Sequence, residues 1–145
     1  MSGESGMTTL VFPCDFGWIG VAATTEGARR IILPGKSRKT VARALSEGAD
    51  RTPCAKKRRY VPEKILRAAE KLLKEYFSGA LVSFDVPLDL SYHTPFQQAV
   101  WRAAAEIPYG QTRSYAWIAR RIKNPGAVRA VGQALGANPL PILIP

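Results

Sequence analysis

A chain of 145 residues suits one ordinary domain or two small ones and excludes a large multidomain enzyme. Hydrophobic residues at 46% and charged residues at 22% form a globular composition, which argues against wholesale disorder. Twenty-one Lys and Arg against eleven Asp and Glu leave +10, a surplus that favours polyanionic partners, nucleic acid first.

The N-terminus, MSGESGMTTL, has neither a basic start nor an apolar stretch, so no secretory signal is expected. No apolar run reaches the roughly 18–20 residues of a membrane span, so no membrane partner is expected and the protein reads as soluble and cytoplasmic. The two cysteines, Cys14 and Cys54, make no disulfide framework and no CxxC pair, and His93 is the single histidine. Neither a metal site nor a cofactor is expected.

Along the chain, TLVFPC, GWIGVAAT and ARRIIL between Thr9 and Leu33 are short β-type runs punctuated by Gly17 and by Glu26-Gly27. They predict an antiparallel three-stranded meander. From Arg29 to Arg59 there are eleven Lys/Arg and two acids, a basic stretch read as a solvated face with a possible secondary phosphate contact. Within it Lys39–Ser46 suits a short helix, and the surroundings of Lys56-Lys57-Arg58-Arg59 an exposed loop.

Pro62 then opens a helix whose Ile65, Leu66, Ala69, Leu72, Leu73, Tyr76 and Phe77 recur with helical spacing, and Gly79 stops it. Ser83–Leu90 (SFDVPLDL) reads as extended, with Pro87 pointing to an edge or a linker. A boundary near Leu90 divides the chain into residues 1–90 and 91–145.

After Leu90 six Lys/Arg face one acid, Glu106. Thr94-Pro95-Phe96-Gln97 is a capping box with proline in the first helical position, predicting a helix through Ile107 that buries Phe96, Val100, Trp101 and Ala104. Ser114 caps a second helix, Tyr115 to Ile122. Asn124 is expected to cap a third, with Pro125 in its first turn, running to Leu135 and stopping at Gly136. The last two have the outline of a helix-turn-helix.

The third helix is poor in base-reading side chains. Gly126, Ala127, Ala130, Gly132, Gln133 and Ala134 accompany one long cation, Arg129. A major-groove reader normally offers several long polar side chains. Small residues let a helix backbone come close to a partner, and one arginine can enter a base stack, which suits the minor groove and base displacement. Packing of the same small residues inside the protein is an equal reading from spacing alone. Ser114 and Tyr115, beside the turn Gln111-Thr112-Arg113, suit a phosphate contact, with a core role as the alternative for the tyrosine. Arg120, Arg121 and Lys123 suit sequence-independent phosphate contacts.

IPYGxxxSY, NPxAxRAVGxAxxxNP and PILIP stand in order between Thr94 and Pro145. This stretch resembles the C-terminal domain of O6-alkylguanine-DNA alkyltransferases, the methylated-DNA–protein-cysteine methyltransferases. GWIGVAATTEGARRIIL and FDVPLDL extend the likeness weakly into the first half. The resemblance implies an α/β (α+β) fold: an N-terminal RNase H-like domain with the three-stranded antiparallel sheet and helices, beside a winged-helix-like helical domain with a helix-turn-helix. It implies DNA repair by direct reversal. The alkyl group of O6-alkylguanine in double-stranded DNA passes irreversibly to a cysteine of a monomeric protein, in the cytoplasm, nucleoid or nucleus, wherever the DNA is.

Matched by position, Arg129 is the finger that fills the gap left by the flipped guanine, and Tyr115 pushes the flanking phosphate round. Asn138 belongs to the hinge between recognition helix and active site, and Ala130 and Gly132 face the minor groove.

The family's ILIP is followed directly by Cys-His-Arg, whose cysteine accepts the alkyl group and whose histidine lowers its pKa through a water and a downstream glutamate. Only the thiolate is nucleophilic, so that activation is essential. Here the last residue is Pro145, neither Cys14 nor Cys54 stands in the motif, His93 lies upstream of it, and the zinc ligands of some members are not recognisable. The run Leu140, Ile142, Leu143, Ile144 is expected to be buried beside a charged α-carboxylate, an unfavourable arrangement that reads as a cut in a longer protein. The chain alone is therefore expected to be inactive in transfer. An alkyltransferase-like lesion sensor without the cysteine stays open as the alternative, and a cysteine against a tryptophan or alanine after Pro145 would separate the two. A sequence-reading regulator is disfavoured by the third helix.

Overall fold

A computed structural model describes residues 7–47 and 59–145. The chain divides into two compact units, Met1–Asp89 and Leu90–Pro145. The described residues hold a three-stranded sheet and five helices, an α+β architecture. No described helix is long and apolar enough to cross a membrane.

In the first unit β1 (Met7–Cys14), β2 (Gly17–Thr24) and β3 (Ala28–Gly35) pair antiparallel in the order β1-β2-β3. β2 is central and buried from Ile19 to Thr24, as its unbroken apolar run requires of a strand covered on both faces. On one face Gly20 makes room for α1 (Arg38–Glu47): a Cβ there would stand 2.7 Å from Leu45 Cδ1 and 2.8 Å from Val41 Cγ1. The other face carries Phe12 and its register partner Ile19, since paired residues share a face. α2 (Pro62–Phe77) covers that side, with Lys74 Nζ 5.5 Å from the Phe12 ring centroid. Ile65, Leu66, Ala69 and Leu73 form its buried stripe, while Leu72, Tyr76 and Phe77 are only half-buried.

Ser83–Leu90 forms no strand of its own. Leu88 makes a single parallel bridge to Ala28, in which Ala28 N–H donates to the Pro87 carbonyl (2.7 Å) and Asp89 N–H to the Ala28 carbonyl (2.8 Å). Proline is tolerated because only its carbonyl is used. Gly27, at φ 155°, lets this segment approach: a Cβ would lie 2.5 Å from the Pro87 oxygen. Asp89 is buried, accepts the Thr24 hydroxyl at 2.7 Å, and stands 4.0 Å from Arg29 Nη1, itself buried. Arg29 therefore leaves the solvated basic face on which the charge pattern put it. A buried guanidinium is tolerable only with such a partner. Lys36, Arg38, Lys39 and Arg43 of the same stretch are exposed, and the expected loop around Lys56-Lys57-Arg58 lies outside the described residues.

In the second unit α3 (Pro95–Ala105) starts at the complete Thr94/Gln97 capping box. It ends two residues short of Ile107, because the residue before Pro108 is pushed out of the helical region. α3 buries Val100, Trp101, Ala103 and Ala104, and Phe96 is half-buried. α4 (Tyr115–Arg121) is capped by Ser114, whose hydroxyl accepts Trp117 N–H at 3.1 Å.

α5 (Val128–Gly136) begins later than expected. Asn124 does not cap it. Its carbonyl accepts Ala127 N–H at 3.1 Å and closes a turn over Pro125-Gly126, so the proline serves a turn rather than a first helical position. The three helices pack pairwise, and Trp101 Nε1 donates to the Ala134 carbonyl at 2.8 Å, fixing α5 on α3.

Candidate nucleic-acid interface

The small residues of α5 serve two ends. Val131 and Ala134 are buried, so part of the series packs inside, and Ala134 leaves the expected surface because α3 covers it. Arg129 and Gln133 are exposed, as is Gly126 in the preceding turn, while Ala127, Ala130 and Gly132 are half-buried.

Gly132 meets Tyr115. A Cβ at 132 would lie 3.0 Å from Tyr115 Cε2 and 3.2 Å from Cδ2, so the ring rests on the bare helix backbone. Tyr115 nevertheless keeps 52% of its surface exposed, which excludes a core role. Arg129 precedes Gly132 by three residues, and residues three apart share one helix face. The contact thus sets Tyr115 and Arg129 on a common face of α5, a juxtaposition that no spacing along the chain announces.

The rim of this face is cationic. Arg120 and Lys123 are exposed, and no hydrogen-bond or ion-pair partner is found for their side chains or for that of Arg129 among the described residues. Arg121 differs: its Nε donates to Glu106 Oε2 at 2.7 Å, which neutralises it locally. Lys123 adopts φ 59° as α4 ends, with its N–H on the Arg120 carbonyl.

Beyond α5, Asn138 works in two directions. Its Oδ1 accepts Leu140 N–H at 2.9 Å, and its Nδ2 donates to the Ile144 carbonyl at 3.0 Å. Ile144 N–H closes back on the Leu140 carbonyl at 2.9 Å. The loop so tied buries Leu140, Leu143 and Ile144 and holds Ile142 at φ 76°, a left-handed conformation costly for a β-branched residue. Sequence reasoning reached Asn138 only through its matched position; the Asn-Pro-Leu spacing carries no signal of a double tie.

Of the two cysteines, Cys14 is a half-buried free thiol at the end of β1, and Cys54 lies outside the described residues. No cluster of three or more His, Cys, Asp or Glu suited to a metal occurs among the described residues.

Residues 95–145 match the family model of the 6-O-methylguanine DNA methyltransferase DNA-binding domain. Over nearly its whole length the chain superposes on the Mycobacterium tuberculosis O6-methylguanine methyltransferase, with TM-score 0.69, 32% identity, and coverage of 96% of this chain and 75% of that one. The chain belongs to the methylated-DNA–protein-cysteine methyltransferase family. A second M. tuberculosis structure, solved in complex with DNA, aligns with TM-score 0.68 and 36% identity over 94% of this chain and 74% of that one. Among curated relatives, the Mycobacterium bovis methyltransferase is 58% identical over 73 residues, 50% of this chain and 44% of that protein. The constitutive Bacillus subtilis enzyme is 52% identical over 80 residues, 55% and 48%. The aligned span covers about half the length of these curated relatives.

Proposed function

We propose that the face formed by Tyr115, Gly132 and Arg129 reads double-stranded DNA through the minor groove and turns an O6-alkylguanine out of the stack. One observation carries the reading: an exposed tyrosine seated on a glycine of the helix that presents an unpaired arginine. α5 opens into the groove as a helix-turn-helix second helix, the short side chain of the half-buried Ala130 and the exposed Gly126 of the preceding turn allowing backbone approach. Arg129 enters the vacated space. Tyr115 and Ser114 engage the phosphate beside it, while Arg120 and Lys123 add backbone contacts that carry no sequence information. Ala130 and Gly132 keep the groove side shallow, and Asn138 holds the loop that leads from α5 to the site of transfer.

The reaction is an in-line displacement. A thiolate attacks the alkyl carbon, the S–C bond forms, the C–O6 bond breaks, and the released guanine takes up a proton. In the family's pattern the acceptor directly follows PILIP, and neither Cys14 nor Cys54 occupies that place. These 145 residues are thus expected to recognise the lesion, as a monomer without cofactor, and to accept no alkyl group.

The test pairs two duplexes differing only in an O6-methyl group, with a fluorescent base analogue beside the guanine. Tighter binding and a fluorescence rise on the methylated duplex are expected, with no labelled methyl on the protein. Equal affinity and no fluorescence change would overturn lesion reading; stoichiometric uptake would overturn the assignment of the acceptor.

A further inference from the structure

Arg113 lies two residues before Tyr115 and is held more firmly than an exposed arginine usually is. Its guanidinium Cζ stands 5.7 Å from the Trp117 ring centroid, Nη1 donates to the Thr112 carbonyl at 2.8 Å, and Nη2 donates to Gln111 Oε1. Trp117 stands in the first turn of α4, where its backbone N–H donates to the Ser114 hydroxyl. A guanidinium offers five N–H donors, and this arrangement uses two. No ion pair engages Arg113 among the described residues, in contrast to Arg121 on Glu106.

We infer that Arg113 is a preorganised phosphate contact, gripping the DNA backbone next to the phosphate that Tyr115 engages. The inference rests on the proposed DNA-reading face. A planar fork matches two phosphate oxygens, and a side chain already stacked and hydrogen-bonded loses little freedom on binding. Tyr115 acts on one nucleotide; Arg113 fixes the strand so that the action has a fixed point. It is a positioning residue, blind to both sequence and lesion.

The experiment measures affinity for an undamaged duplex as a function of NaCl concentration. Arg113→Ala should flatten the log–log salt slope by about 0.9 and weaken binding roughly eightfold at 0.1 M salt, the loss of one phosphate contact. Arg113→Lys should keep the slope and bind a few-fold more weakly, and it guards against a folding defect. Gln111→Ala should likewise keep the slope with a few-fold loss, since only the hold on the guanidinium is gone. Arg121→Ala, whose charge is already matched by Glu106, should leave the slope as it is. An unchanged slope in Arg113→Ala, or an equal flattening in Arg121→Ala, overturns the contact. Failure to distinguish methylated from undamaged duplex would overturn only the lesion reading, whereas a wild-type chain that binds no duplex overturns both.

Discussion

Arg129 and Gly132 carry the sharpest expectations at the scale of single residues. Arg129→Ala should lower affinity for the methylated duplex by more than tenfold while the salt slope stays within a few tenths, because a side chain inside the stack releases no counterion. A loss of about one unit of slope would make it a phosphate clamp instead. Gly132→Ala separates stability from action. Alanine favours a helix interior by roughly 1 kcal/mol, so thermal stability should hold or rise. The new methyl, 3.0 Å from Tyr115 Cε2, must displace the ring. Base-analogue fluorescence on the methylated duplex should then fall severalfold with no drop in melting temperature, and an undiminished signal would return Gly132 to a plain packing role. Arg29 teaches the converse lesson. A count of charges along the chain put it on the surface, and only the folded position of Asp89 revealed a buried pair.

Elements were legible where a local rule decides them. The meander, α1, the stripe of α2, the Thr94/Gln97 box and the Ser114 cap all follow from spacing and capping chemistry over a few residues. The start of α5 was not, because Asn124-Pro125 suits a helix cap and a turn equally, and the choice fell to Ala127 N–H reaching the Asn124 carbonyl. Tyr115 on Gly132, seventeen positions apart, arises from two helices packing and has no periodicity to betray it. α2 supplies a test by pH. Glu70 is held below its ordinary pKa chiefly by the Lys74 hydrogen bond at 2.8 Å, against the opposing effect of partial burial, with Arg67 at 2.9 Å adding to the lowering. A depressed carboxylate stabilises the fold above its unfolded pKa, and that contribution is lost as pH falls through the folded value. Glu70→Gln should therefore cost about 0.5 kcal/mol at neutral pH. The gap to wild type in urea titrations should close under acid conditions, and a gap independent of pH would refute the pairing.

For the molecule as a whole, the net charge of +10 favours a polyanionic partner, and the number of phosphates neutralised would set how binding responds to salt. If the face neutralises about four phosphates, raising NaCl from about 50 to about 200 mM should weaken duplex binding on the order of a hundredfold. A loss below threefold would mean that the charge is not directed at DNA. The charge is also unevenly anchored. α1 is seated by Val41 and Leu45 against the bare backbone of Gly20, so two side chains hold the helix while Lys36, Arg38, Lys39 and Arg43 stand clear of the core. Exposed positions of that kind tolerate exchange within about 0.5 kcal/mol. The helix and the residues before it are in that sense a dial: their cations can be added or removed by drift or by design, changing the net charge while α4 and α5 keep their geometry.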